Sequence, residues 1–579
     1  MMPVDFPLHL DLPGIDGVPP ALLFFAGALL IALCRDESLR WLRSLLLITI
    51  PLVGAVNMLT LDAGVSWTWR VLDFELVQLR VDRLSMLFGL LFHLGAFMGA
   101  IYSIRVRDTL QHVASLAYAG SALGAVFSGD LISLFFYWEG MALSSAFLVW
   151  AGRTPNSNGA GLRYLALHLL SGLLLLAGAV ISFQSTGEIA FSYVGTESVA
   201  GWLILLAFGI KCGFPFLHSW ITDAYPQSTP SGTVFLSMFT TKVAIYALAR
   251  GFPGTEVLIP IGTVMALFPI FYAVIENDLR RVLGYSMINQ IGFMVVGVGI
   301  GTELALNGAV AHAFNEVLFK GLLFMSMGAV LVRVRHVLGS DLGGLYRSMP
   351  LTTLFCVVGA ASISAFPLFN GFVSKSLIMA AMIEEGYTLG WLGLLFASAG
   401  VFHHAGIKIP YFAFFAHDSG LRVAEAPRNM LLAMGIAAAL CISVGSYPAL
   451  LYKLLPWDSG YEPYTYPHVM LQVQLLLFSA LAFAWLKLTG IYPPELRSVN
   501  LDADWLYRRL GVRVWRLLVA ALGNARRTAL QSIRGTPQRW ARELFGRGGV
   551  FTQTAETGTA ALLVGAMLAC YILIYYVTA

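Results

Sequence analysis

Charged residues stand inside stretches of sequence that are otherwise apolar. Glu139 lies in "FFYWEGMALSS", Lys211 ends "WLILLAFGIK", Lys242 interrupts "GTVFLSMFTTKVAIYALAR", and Lys408 sits in "SAGVFHHAGIKIPYFAFF". The stretch "NGAVAHAFNEVLFKGLLFMSMG" carries His312, Glu316 and Lys320 at i, i+4 and i+8. At the helical period these three stay within an arc of about 80°, one polar stripe on an apolar helix. A charge at the centre of a membrane helix costs roughly 2.5–3.5 kcal/mol on insertion scales, so such residues usually have a partner or a function. Burial weakens a lysine's hold on its proton and a nearby carboxylate restores it, so carboxylates and lysines in series can pass protons by electrostatic switching. The simplest chemistry for this set is ion movement.

Each residue also has a structural reading. Glu139 could be a fixed ion-pair partner, Lys211, Lys242 and Lys408 could snorkel, and Glu316–Lys320 has the favourable order for an intrahelical pair. His93, His168, His403 and His404 read as satisfied core or interfacial residues. No nucleophile–base pair, metal set or phosphate loop stands out, so neither catalysis nor a cofactor is expected of this chain. "GVGIG" (297–301) ends an apolar run and is not a nucleotide loop. The cysteines, Cys34, Cys212, Cys356, Cys441 and Cys570, are scattered without a CxxC, which argues against a disulfide framework or a Cys-held metal.

The elements that must position these charges are membrane helices. The chain is 58% hydrophobic and 12% charged, about half the charge of a soluble domain. Apolar runs of spanning length recur from 20–34 to 558–577, which predicts an all-α polytopic membrane protein of about 14–16 transmembrane helices. The runs are continuous rather than alternating, which excludes a membrane barrel. Arginines cluster at every second connection (Arg35, Arg40 and Arg43; Arg105 and Arg107; Arg153; Arg280 and Arg281; Arg333, Arg335 and Arg347; Arg422 and Arg428). The positive-inside rule places these loops in the cytoplasm and the N-terminus outside. The first nineteen residues lack the basic start of a signal peptide.

Two stretches echo each other: "FGIKCGFPFLHSW" (208–220) and "ISAFPLFNGFVSK" (363–375). Each interrupts an apolar run with a Phe-Pro element, and proline frees main-chain carbonyls that need polar partners. Paired breaks in two halves of a hydrophobic chain point to a transporter built from repeats. Residues 490–556 hold eleven arginines and no lysine, which reads as a basic amphipathic arm on a membrane surface or along a neighbouring subunit. The expected organisation is N-terminal helices (1–110), a first repeat (111–250), a second repeat (256–415), C-terminal helices (430–489), the arm (490–556) and a terminal anchor (557–579).

Six ordered stretches carry a resemblance: "GDLISLFFYWEGMALSS", "IKCGFPFLHSWITDAYPQSTPSG", "MFTTKVAIYALAR", "ENDLRRVLGYSMINQIGF", "HAFNEVLFKGLLFMSMGAV" and "FPLFNGFVSKSLI". Over roughly residues 80–450 the sequence resembles the antiporter-like membrane subunits shared by Mrp-type Na⁺/H⁺ antiporters, respiratory complex I and membrane-bound hydrogenases. "GIKIPYFAFF" and "NLDADWLYRR" look most like the D-type Mrp subunit. The resemblance implies two inverted five-helix repeats, each with a broken helix, and a proton path along a central polar axis. It implies that Glu139 pairs with Lys211, that Lys242 follows in the first half-path, that Lys320 is central with His312 beside it, and that Lys408 is the terminal lysine. Family members often place a second histidine where this chain has Glu316, an acid expected to hold Lys320 charged. Implied partners are the other subunits of a hetero-oligomeric membrane complex, with protons, with or without Na⁺, as cargo and no nucleic acid. The implied location is a bacterial or archaeal cell membrane. A subunit of a Na⁺/H⁺ antiporter and a pumping subunit of a redox-powered complex both fit; a scaffold with a dead channel would have lost one of the charges.

Overall fold

The structure is a computed structural model that describes residues 6–10, 17–71, 74–458, 460–497 and 500–520. Residues up to Asn500 form one unit and residues from Leu501 a second. In the second unit the described residues are largely helical and exposed, with Asp504 paired to Arg508 at 2.9 Å. The rest of the predicted arm and the predicted span 558–577 lie outside the described residues.

The first unit is a helical membrane protein. Eleven helices among the described residues are long and apolar enough to cross a bilayer. Pro20–Leu33, Val199–Cys212 and Pro350–Ile363 are apolar but shorter. The last two are short because each is the leading half of an interrupted element. After Val199–Cys212 the chain turns through Gly213 and Phe216, both at positive φ, before Ser219–Ala224. After Pro350–Ile363 it turns through Ala365 and Leu368, again at positive φ, before Asn370–Glu384.

The two breaks belong to two sets of five elements with the same internal order. The second helix of each set, Leu131–Trp150 and Leu279–Ile300, is capped by an aspartate, Asp130 or Asp278, whose carboxylate accepts from amides two and three residues on. The third helix of each set, Pro155–Thr186 and Glu303–Val334, has 32 residues and ends in a left-handed residue, Gly187 or Arg335. The chain leaving it pairs with the capping aspartate, Asp130 with Ala190 and Asp278 with Leu338. The hydrogen bonds correspond one to one: Leu131 N to Ile189 O (2.9 Å) matches Leu279 N to Val337 O (3.0 Å).

The equivalent junctions sit at opposite ends. Asp278 lies beside Arg280, which donates to the carbonyls of Tyr225 and Ser228, while Thr229 reaches Gln111 at 2.8 Å. Other basic connections join there, Arg153 with Asp108 (2.8 Å) and Arg347 with Asp418 (3.4 Å). The junction at Asp130 instead meets the other set of connections, through Gly129 N to Val77 O, Val194 N to Gly251 O and Gly254 N to Val298 O. The repeats are therefore inverted.

Packing between helices uses small residues. A Cβ on Gly292 would lie 2.6 Å from Gly262 O, and one on Gly262 would lie 2.7 Å from Gly292 O. Helices Leu258–Ile275 and Leu279–Ile300 can cross this closely only because neither position carries a side chain.

One element departs from the all-helical expectation. Strands β1 (Gly64–Val71) and β2 (Phe74–Val81) form an antiparallel hairpin. β1 is exposed along its whole length, whereas β2 buries Leu76, Leu79 and Val81. Val77 N donates to Asp130 at 2.7 Å and Gln78 donates to Ser133 at 2.8 Å, so the hairpin sits on the start of the helix that carries Glu139. Alternation of β-branched and aromatic residues in "GVSWTWRV" is a strand pattern, which a search for long apolar runs passes over.

Candidate functional site

The predicted lysines, Glu316 and His312 lie in the buried interior, Glu139 is half-buried, and the lysines sit on main-chain or hydroxyl oxygens. Lys211, Lys242, Lys320, Lys408, Glu316 and His312 are all 0% exposed. Lys211, in the last turn before the first break, donates to Trp138 O at 2.5 Å and lies 4.4 Å from the Trp138 ring centroid. Glu139 is the next residue along that helix, within electrostatic reach of Lys211. Its Oε2 has no hydrogen-bond partner. The implied Glu139–Lys211 ion pair is therefore not closed; the ammonium takes the neighbouring carbonyl. Glu139 fits because position 172 is glycine: a Cβ there would fall 1.4 Å from Oε1.

Lys242 follows an interruption at Phe239, between helices Pro230–Met238 and Thr240–Gly251. Its Nζ donates to the freed carbonyl of Ser237 (2.9 Å) and to Thr241 Oγ1 (3.2 Å). The same ammonium lies 2.8 Å from Glu316 Oε2. The structure adds a closer partner than spacing shows, while Glu316 stays within electrostatic reach of Lys320. Spacing assigns Glu316 to Lys320, four residues along its own helix, but its carboxylate touches a lysine of the other repeat. Lys320 Nζ donates to Ser286 Oγ at 2.8 Å. The carboxylate makes an ion contact without an aligned hydrogen bond, and neither oxygen has another partner.

His312 has both ring nitrogens engaged. Nε2 lies 3.1 Å from Gln290 Oε1, which only accepts, so Nε2 carries a hydrogen. Nδ1 lies 2.9 Å from Ser374 Oγ. Gln290 is fixed in turn by donating to Asn289 Oδ1 at 2.6 Å.

Sequence reasoning missed Lys375. It lies in the second half of the second broken helix, is 4% exposed, and donates to Ile363 O at 3.0 Å, the carbonyl freed at the break. Its Nζ is 5.1 Å from the Phe293 ring centroid. At the first break Ile210 O is taken by Trp220 Nε1 at 2.9 Å. The signal was available, because Lys375 ends the second echoed stretch as Lys211 stands in the first. His168 and His404, read as satisfied core or interfacial residues, are fully buried with neither ring nitrogen in an aligned hydrogen bond.

Lys408 is placed differently. Its Nζ caps the end of Leu258–Ile275, donating to Ala273 O (3.1 Å), Val274 O (2.6 Å) and Glu276 O (2.7 Å), with Glu495 Oε1 at 3.1 Å. It thus sits at the end of the bundle where the basic connections gather. Among the described residues no three His, Cys, Asp or Glu side chains are grouped to hold a metal ion.

Residues 128–402 match the family described as "NADH:quinone oxidoreductase/Mrp antiporter, TM". Hydrogenase-4 component B of Escherichia coli is 27% identical over 66% of this chain, and the match reaches 65% of that protein's own length. The D subunit of the Na(+)/H(+) antiporter of Alkalihalophilus pseudofirmus is 28% identical over 59% of this chain and 74% of its own. The fold is that of a chain in the membrane-bound sulfane sulfur reductase, an archaeal respiratory membrane complex, with a TM-score of 0.70, 22% identity, and 96% of this chain and 99% of that one covered. Inverted repeats, two broken helices, a buried lysine series and these matches agree: residues 128–402 carry the membrane domain of the NADH:quinone oxidoreductase/Mrp antiporter family, and the chain is similar to the antiporter-like subunits of Mrp-type Na⁺/H⁺ antiporters and of a hydrogenase.

Proposed function

We propose that this chain is the proton-translocating subunit of a multi-subunit Na⁺/H⁺ antiporter of Mrp type, with the basic face towards the cytoplasm. The observation that carries the proposal is the Lys242–Glu316 contact at 2.8 Å, fully buried and made between the two repeats. A buried pair of this kind is costly to maintain for packing alone. It lies between Lys211 with Glu139 on one side and Lys320, His312 and Lys375 on the other, so its opening and closing couples the two halves. When Glu316 leaves Lys242, that ammonium loses its counter-charge and gives up its proton more readily. Glu316 then acts on Lys320, and the two lysines exchange roles. Lys408 serves the connection to the basic face.

The likeness to the antiporter protein of Alkalihalophilus pseudofirmus, with 74% of that protein covered, supports the antiporter reading. A second reading, a pumping subunit powered by a redox partner, is favoured by the likeness to the hydrogenase component. The test is proton flux driven by an imposed Na⁺ gradient in inverted vesicles that hold the complete native complex. Wild type is compared with Glu139→Ala and Lys242→Ala at equal assembly. Na⁺-driven flux that vanishes in both variants supports the antiporter. Wild-type flux without Na⁺ dependence supports the redox pump. Undiminished flux in both variants would make these charges structural and sink the site.

A further inference from the structure

Beyond Lys408 lies a group of buried polar atoms that the charge series does not use. His404 is 0% exposed, and neither ring nitrogen has an aligned hydrogen bond, although Gly400 O one turn back bears on the ring. It lies in electrostatic range of Lys320 on one side and of His403 and Lys408 on the other. His403 Nε2 and the Tyr492 hydroxyl are also buried without a partner. Both oxygens of Glu495 lack an aligned hydrogen bond, although Lys408 stands 3.1 Å away. The backbone over Phe402–Ile407 and Tyr411–Phe415 is wound as π-helix, a distortion found most often at functional sites.

The chain that follows the membrane helix Tyr466–Leu488 closes over this group. Tyr492 packs on His403, Phe412 and Phe483, with centroids 5.2–6.2 Å apart. Asn500 donates to Glu276 Oε2 at 3.3 Å, and Arg497 pairs with Asp341. Buried donors and acceptors rarely go unpaired, and a polar cluster without protein partners is where ordered water resides. The cluster extends from the neighbourhood of Lys320 to the surface segment around Glu495.

We propose that the passage from Lys408 to the basic face ends at Glu495, the group that exchanges protons with the aqueous phase. The inference rests on the proton-path reading above. Glu495 lies outside the membrane helices and faces Lys408, Lys487, Glu276 (itself 3.5 Å from Arg281) and Tyr492. Burial pushes its carboxyl up, the two lysines pull it down, Glu276 adds to the rise, and the net position is above the ordinary carboxylate value of 4.5. That brings it nearer to neutrality, where a proton-exchanging group works best.

The test measures proton flux against pH on the basic side, in vesicles holding the intact complex, for Glu495→Gln, Glu495→Asp and the exposed surface control Arg422→Ala. Loss of a proton-transferring group costs about a hundredfold or more, so Glu495→Gln should lose flux on that scale. Glu495→Asp should keep flux with a displaced pH profile, and Arg422→Ala should match wild type. Wild-type flux and profile in Glu495→Gln, with Lys242→Ala inactive, would overturn the passage and leave the central path standing. Undiminished flux in Lys242→Ala would instead remove the reading on which the passage rests. Should Glu495→Gln fail to assemble, the aspartate variant decides: an unshifted profile makes Glu495 a structural clamp and refutes the proposal.

Discussion

Replacing Glu316 by glutamine keeps the side chain's volume and removes one charge from the contact between the repeats. At 2.8 Å, and with an effective dielectric of about 20, the gross attraction is about 6 kcal/mol. Desolvation offsets part of this, and stripping one partner from a buried pair typically costs about 3–5 kcal/mol. The cost arises because Lys242 would remain as a cation held only by Ser237 O and Thr241 Oγ1. The variant complex should therefore melt at lower temperature. Proton flux should fall by about a hundredfold or more, because the switch between the halves has lost its mobile charge. The double variant Glu316→Gln/Lys242→Met leaves no unpaired charge and should recover most of the stability but none of the flux. Thermal melting and vesicle flux of the intact complex, taken through all four members of the cycle, separate the two effects. Wild-type flux in Glu316→Gln, or melting losses in the single variants that simply add in the double, would refute the argument that this pair links the repeats.

Gly172→Ala should push the Glu139 carboxylate aside, since the new Cβ would fall 1.4 Å from Oε1. Misplacement of a reacting group by about 1 Å can cost roughly a hundredfold, so vesicle flux should drop steeply, and Glu139→Asp on that background, one methylene shorter, should restore part of it. Phe216 holds φ 68° at the first break and is 70% exposed. Phe216→Val should lower the melting temperature, because a β-branched residue tolerates the left-handed region less well than phenylalanine does, while Phe216→Gly should relieve strain that phenylalanine already carries. Asp82 caps Arg83–Ser103 and lies 2.8 Å from Arg250. Burial alone would raise its carboxyl, but Arg250, the Ser85 amide and Arg80 outweigh it and hold the group below the ordinary 3.8. Its contribution to stability is therefore present above that value and lost as pH falls through the lower folded-state value. Asp82→Asn should flatten the acid limb of the melting profile, and an unchanged acid limb would contradict this.

The sequence by itself determined the membrane class, the interruptions and most of the charges. Apolar runs longer than a bilayer leave the backbone no alternative to helices, and a lysine or glutamate inside such a run is conspicuous because it is expensive. It also carried an unused sign of the inverted repeat, the Asp-Leu pairs Asp130–Leu131 and Asp278–Leu279, which cap equivalent helices at opposite ends. The hairpin Gly64–Val81 was legible as alternation but not as hydropathy. Lys375 was hidden beside the polar residues of a proline break.

Only the tertiary structure decided who partners whom. Spacing along one helix favours Glu316 with Lys320; packing between helices brings Lys242 of the other repeat to 2.8 Å instead. Spacing cannot show that Lys211 rests on a carbonyl rather than on Glu139, that Gly172 leaves room for that carboxylate, or that Glu495 returns from beyond the last described membrane helix to meet Lys408. Periodicity reports the face on which a side chain lies, whereas a charge inside a membrane protein takes whichever oxygen the fold brings within hydrogen-bond reach.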